Sequence, residues 1–351
     1  VSPNGSDKIG GVNGTVGLGI EGQSVTFVYV DGTQGWVNTM DSTSNVRSSA
    51  YMQATGGTIT CCGDYKIHTF TGPGTFSVGT TAVCAADNLV SYLVIAGGGA
   101  GGTGGGAGGG AGGFREVVSP TAPYTGSPLD GYPSAPNRIT VTATGYPITV
   151  GAGGAVSTAP SPPVGALGGS GANSVFSTIT SAGGGGGGAQ NPTAPTVITD
   201  GADGGSGGGG SYDTPGAGST APGGSGNTPP TTPPQGNDGG QGRHNGPTHG
   251  LTGGGGGAGA VGPGESPTPP YGNSDGGAGV TTSISATPTG YAGGGGGEGP
   301  SGAANPVGGG GNKRVAGTDN TGGGGGGGAF PAPTAAGKGG SGIVIIRYQY
   351  Q

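Results

Sequence analysis

His244 and His249 lie in one Pro/Gly-rich stretch with Asp238 upstream, and two imidazoles near a carboxylate could ligate a metal or move protons. A hydrolytic or metal centre needs more convergent ligands than these, and solvated loop histidines are commoner. Asp200 and Asp203 in TDGADGG supply the aspartates of a calcium turn without the spacing or distal glutamate of an EF-hand. Residues 97–102 fit G-x-G-x-x-G behind the strand-like 89–96, with Glu116 beyond. That fingerprint works only when a helix N-terminus follows, and the continuation TGGGAGGGAGG cannot hold an α-helix. Gly337-Lys338 lacks both the earlier glycine and the following Ser or Thr of a phosphate loop. Cys61, Cys62 and Cys84 leave a bridge from either of the first two to Cys84 open, but plain buried thiols are the simpler expectation. Zinc would want four ligands, and only His68 is near. The expectation is a protein with no catalytic residues, no metal and no cofactor, and hence no enzyme.

Binding chemistry is better supplied. Tyr124, Tyr132, Tyr212, Tyr271 and Tyr291 all lie in or beside polar insertions, where a partly exposed phenol offers a flat apolar face and a hydroxyl to a sugar or another amphipathic surface; any single one is expected to cap the bundle or pack its own loop, and the loops together to serve recognition. The candidate binding set is Tyr212, Asp213, His244, His249, Tyr271, Asn273 and Asp275.

The elements that must hold these residues are unusual. There are 98 glycines and 29 prolines among 351 residues, together above the roughly 25–30% level typical of unstructured chains. The glycines cluster in runs at 183–188, 253–257, 293–297, 308–311 and 322–328. A helix through such runs loses about 1 kcal/mol per glycine relative to alanine, and a buried strand of glycine has no side chains to pack. An extended three-fold polyproline II-type helix remains. It has no internal hydrogen bonds, so its peptide groups point outward all round, and without Cβ atoms neighbouring rods can approach and bond to one another. A six-residue rod of about 19 Å matches an ordinary strand in length.

Two strand-like segments, LVSYLVIA at 89–96 and GIVIIRY at 342–348, bracket the glycine-rich stretch, and their pairing would close it into one excursion. Further strands are read at 65–70, 75–78, 114–118, 138–150 and 174–180, and no stretch has helical periodicity. The predicted fold is mainly β: sheet layers plus a bundle of polyglycine II helices, with almost no α-helix. Residues 1–58 read as a small β connector or trimerisation module around VTFVYV, and 59–351 as the glycine-rich domain. Between the runs lie Pro-, Ser-, Thr-, Asn- and Asp-rich insertions suited to carry contacts on a rigid scaffold.

Charged residues are sparse, 16 acidic against 10 basic, and the one basic cluster, Lys313-Arg314, is too small for nucleic acid. No apolar segment approaches the ~20 residues that span a bilayer, so membrane insertion is not expected. The chain opens at Val1 with no signal-peptide pattern, and reads as a processed product or part of a longer polypeptide.

The ordered series YKIHTFTGPGTFSV, LVSYLVIAGGGAGG with AGGFREVV, YPITVGAGG, NSVFSTITSAGGGGGG and GKGGSGIVIIRY resembles the glycine-rich domain of many bacteriophage tail-fibre and receptor-binding proteins, over about residues 63–350. The opening GSDKIGGVNGTVGLGIEGQSVTFVYVDGTQGWV resembles a short module of phage fibres. The resemblance implies a homotrimeric adhesin of the virion, extracellular, that attaches to a bacterial surface glycan or outer-membrane protein. It also implies an N-terminal module that meets other virion tail proteins. The long proline-rich insertions depart from that pattern, and no site residue is carried over. The competing expectation is a structural subunit of a self-assembling extracellular filament or a capsid decoration protein.

Overall fold

The structure, a computed structural model, describes residues 2, 4–15, 24–41, 51–158, 165–190, 199–212, 219–244, 250–264, 273–299, 307–329 and 336–351. Strands dominate. They are β1 (Val25–Asp31), β2 (Gly35–Asp41), β3 (Gln53–Thr55), β4 (Thr58–Cys62), β5 (Tyr65–Phe70) and β6 (Gly74–Thr80). Next come β7 (Leu89–Ile95), β8 (Phe114–Val117), β9 (Ile139–Thr140), β10 (Gly145–Thr149), β11 (Ser174–Phe176) and β12 (Ile179–Ser181). The last six are β13 (Thr220–Ala221), β14 (Gly242–His244), β15 (Gly250–Leu251), β16 (Val280–Thr282), β17 (Thr289–Tyr291) and β18 (Ile343–Gln349). The helical content of the described residues is two short 3₁₀ turns, Ala85–Asn88 and Ala135–Asn137.

One sheet runs β4-β5-β18-β7-β8, with β9 pairing β7, and a second runs β12-β11-β10-β6-β3. The final strand β18 is thus inserted at the centre of the first sheet, antiparallel to both neighbours, with Ile345 opposite Thr69 and Leu93, and Ile343 opposite Ile95. The two bracketing segments pair as their sequences suggested. Their unbroken apolar character follows from burial on both faces: one face packs on the second sheet through Phe76, Ile148 and Phe176, the other on Ile284, Tyr291 and Ala258. β3 joins the second sheet upstream of the boundary drawn at residue 58.

Glycine runs extend from these strands. Ala96 leads directly into one run, and Gly113 leads out of the next into β8. Residues 106–113 sit at the centre. Gly106, Gly109 and Gly112 donate to Gly328, Gly325 and Gly322; Ala107, Gly110 and Gly113 donate to Gly188, Gly185 and Ala182; Gly108 and Ala111 donate to Gly253 and Gly256. Three other runs donate back. Gly99 and Gly102 reach Gly110 and Ala107, Ser206 and Gly209 reach Ala111 and Gly108, and Gly295 and Glu298 reach Gly109 and Gly106. All these N···O distances are 2.7–3.2 Å. The run therefore has six neighbours, three accepting from it and three donating to it, and its donor changes neighbour with a period of three residues. That is the recurrence a helix of three residues per turn would give, and not the period of two of a strand.

The cysteines correct the sequence reading. All three are free, but Cys61 is exposed and Cys62 half-buried, because β4 is an edge strand with most of its residues facing solvent, and Cys84 is exposed ahead of the 3₁₀ turn Ala85–Asn88. Among the tyrosines beside the insertions, Tyr124 and Tyr291 take the packing role expected of any single one. Tyr291 is buried and Tyr124 packs against the same apolar cluster, so both serve the core and not a binding surface.

His68 is fully buried at the sheet-sheet interface, edge-on to Phe76 at 5.0 Å. Its Nδ1 lies 2.7 Å from Gly56 O, which can only accept, so Nδ1 carries the proton and Nε2 accepts from Tyr348 Oη at 3.2 Å. Burial holds the imidazole below its ordinary 6.5, with Lys66 adding to the effect. A depressed folded value means that the stability tied to the neutral ring is complete above 6.5 and is lost as pH falls through the folded value. Urea midpoints should therefore fall on acidification below 6.5, and the His68 ring should titrate below that value in NMR. A free-imidazole titration for His68 would refute the assignment.

Candidate functional site

The rods have two ends. At one, they join the two large sheets; at the other, the turn at 103–106 meets Gln190, Ser211, Tyr212, Glu298 and Gly328. Tyr212 follows the rod 204–211, whose last residue donates from Ser211 Oγ to Gly105 O at 2.8 Å. His244 ends β14, held by its N–H to Ser219 O at 3.0 Å and by pairing with Gly250. The two rings stack with centroids 5.9 Å apart and planes 19° from parallel. β15 passes so close over Tyr212 that a Cβ at Gly250 would lie 2.6 Å from ring carbons, which fixes the phenol in place. Burial, and then the Glu298 carboxylate, hold the Tyr212 hydroxyl above its ordinary range, so it stays a hydrogen-bond donor at neutral pH.

Glu298 pairs with Lys313 Nζ at 2.9 Å. Its carbonyl accepts from Thr252 Oγ1 at 2.9 Å and from Ser274 Oγ at 3.3 Å, and Gly297 N–H donates to Ser274 O at 2.7 Å. Asn273 is exposed beside it and caps Asp275 N–H at 3.4 Å. The structure therefore brings Tyr212 and His244 into contact, and Asn273 and Asp275 to the same end through Ser274 and Glu298. Asp213, His249 and Tyr271 lie outside the described residues.

Sequence reasoning did not find Glu298, Lys313, Thr252 and Ser274. The available signal was position: a polar residue that ends or opens a glycine run stands at a rod terminus, as Glu298 does after 293–297 and Thr252 does before 253–257. The assembled groups offer a stacking surface, a phenolic donor, an ion pair and an exposed amide. This is chemistry for holding a ligand. Among the described residues no three His, Cys, Asp or Glu side chains converge on a common point. The G-x-G-x-x-G segment donates to three neighbouring runs and accepts from three more, and Glu116 beyond it is buried against Tyr124, Ser127 and Thr282.

A family model described as a glycine-rich domain matches residues 69–349, from within β5 to the end of β18. The chain belongs to the glycine-rich domain family. Among curated proteins no relative matches. The matched span of the glycine-rich domain takes in the bundle, β7, β8 and β18 of the first sheet, all of the second sheet but β3, and every described residue of the candidate site.

Proposed function

We propose that this glycine-rich domain protein is the tip of a phage tail fibre or tail spike, a virion adhesin that attaches to a host surface glycan or outer-membrane protein through loops on a polyglycine II scaffold. One observation carries the reading. Gln190, Thr199, Tyr212, His244, Gly250 and Asn273, from the polar insertions read at 190–203, 211–252 and 263–290, gather at the end of the rods away from the two large sheets. A stiff bundle that presents aromatic and polar residues at one end suits recognition, because ordering is already accounted for in the scaffold. The period-three bonding supports polyglycine II rods as that scaffold. In residues 1–58, β1 and β2 form a two-stranded sheet, with Val12, Val28, Val30 and Tyr29 exposed. A lone hairpin is marginal in water, which supports a role in trimerisation and in contact with other tail proteins.

The test is binding of the isolated protein to host cells. Tyr212→Ala and His244→Ala each remove half of the stack, and a central aromatic contact is worth about 2 kcal/mol, or roughly thirtyfold in Kd. Both variants should lose about that much affinity while melting near the wild type. Unchanged binding would remove the stack from the site. Failure of the parent to bind cells, with open filaments in electron micrographs, would favour a self-assembling structural subunit instead.

A further inference from the structure

The rods raise a problem of register. A glycine run bonded with a period of three can slide three residues, about 9 Å, along its neighbours and still meet a carbonyl with every N–H. In a strand the alternation of side chains forbids this. Side chains outside the runs must therefore fix where each one stops.

For the excursion 273–299, two buried charges are placed to do so. Glu116 on β8 and Arg347 on β18 lie on the same face of the first sheet, 2% and 5% exposed. Glu116 Oε1 accepts from Thr282 Oγ1 and from Tyr124 Oη, the latter at 2.9 Å, and Oε2 accepts from Ser127 N at 2.8 Å. The Arg347 guanidinium lies over the rings of Tyr65 and Tyr124, at 4.8 and 5.4 Å, and Nη1 donates to Ile284 O at 3.5 Å. Among the described residues no carboxylate lies within 4.0 Å of it. Tyr124 therefore bridges the two charges, with its hydroxyl on the acid and its ring on the base. The charges grip Thr282 and Ile284, two positions on one short hairpin. That hairpin, β16–β17, joins the rod 276–279 to the rod 292–298.

We infer that Glu116 and Arg347, joined through Tyr124, form a buried clasp that sets the register of the two rods carrying Asn273, Asp275 and Glu298 to the far end. They are positioning residues. The inference does not depend on what the far end binds.

The clasp has a distinctive tolerance. Glutamine in place of Glu116 can turn its carbonyl to Ser127 N–H and its NH₂ to the hydroxyls of Tyr124 and Thr282, which can accept as well as donate. Alanine leaves all three unpaired. Burial also pushes the Glu116 carboxyl above its ordinary 4.5, against the hydrogen bonds from Ser127, Thr282 and Tyr124, so the closed state is favoured most below that value and loses the advantage as pH rises through the folded one. The ionisable groups facing it are Tyr124 and Asp130 from the 119–132 loop, Tyr291 from β17 and Arg347 from β18. The measurement is amide exchange on the full chain, by residue, for the wild type, Glu116→Gln and Glu116→Ala. Glu116→Ala should speed opening of 276–297 roughly tenfold to a hundredfold, with 183–188 and 322–328 still protected. Glu116→Gln should stay within a few-fold of wild type and lose the pH dependence of that opening. Uniform acceleration through all rods, no acceleration at all, or equal damage in both variants overturns the clasp.

Discussion

Gly110→Ala is expected to prevent folding, although it adds one methyl group to a residue with ordinary backbone torsions. The new Cβ would lie 2.6 Å from Gly207 O and closer still to Ser206 O, and both are backbone atoms that no rotamer change can move aside. Room could come only from separating residues 106–113 from 204–211. That separation would break the Ser206-to-Ala111 and Gly209-to-Gly108 hydrogen bonds, and six neighbours block any other retreat. Overpacking in side-chain cores costs about 1–3 kcal/mol, and each buried peptide group left unpaired costs about 1–3 kcal/mol more. A total of about 5 kcal/mol or more would consume much of the ~5–15 kcal/mol that holds a typical domain together. The control is one residue away. Ala111 is fully buried, but its methyl group points into the cluster of Ile95, Phe114 and Ala258, so Ala111→Gly should cost only about 1 kcal/mol. Soluble yield and thermal melting decide the matter. A Gly110→Ala protein melting within a few degrees of wild type would mean that the rods are not in van der Waals contact.

How much of this could be read from residues alone depends on where the information sits. The strands 65–70, 89–96, 114–118 and 343–348 are dense in β-branched and aromatic residues, and the structure has β5, β7, β8 and β18 there. Their pairing across the glycine excursion was legible because two unbroken apolar strands need each other for burial. The bonding between runs was legible in kind, since glycine excludes helix and sheet, but not in plan: identical residues carry no mark of which neighbour they meet. The strands β13–β17 are two or three residues long, too short for any periodicity. Ile284, Tyr291 and Tyr124 are isolated apolar residues in polar stretches, and only the folded chain shows that they cover the second face of the central sheet. At the site, Tyr212 and His244 stood out by chemical type. Their stacking did not, because it is made by the paths of a rod and of strand β14 and not by sequence spacing. Glu298 and Lys313 carried no local motif.

A single residue inserted in a strand and in a rod should have opposite outcomes, against ordinary experience with buried backbone. Placed between Ile345 and Ile346, one extra residue shifts the rest of β18 by one. Arg347 would then turn into the cluster of His68, Phe76 and Tyr348, and Tyr348 would leave it. A lone buried charge costs several kcal/mol, and a bulge that avoided it would break ladders on both sides of a central strand, so this variant should not fold. One glycine placed between Gly185 and Gly186 meets no such rule. The screw symmetry of a side-chain-free rod lets the run slide by one residue, put a glycine where Ala189 stood, and pass the excess to the segment beyond Gln190. The sheet end is held by Gly183 N–H on Asn173 Oδ1 at 2.9 Å and Ala182 N–H on Gln235 Oε1 at 2.9 Å, so the slide runs outward only. The expected cost is the loss of the buried Ala189 methyl group, about 1 kcal/mol, read as a melting temperature a few degrees lower. If the rod insertion proves as damaging as the strand insertion, the runs are fixed by something other than their peptide groups. The need for a clasp at Glu116 and Arg347 would then disappear with it.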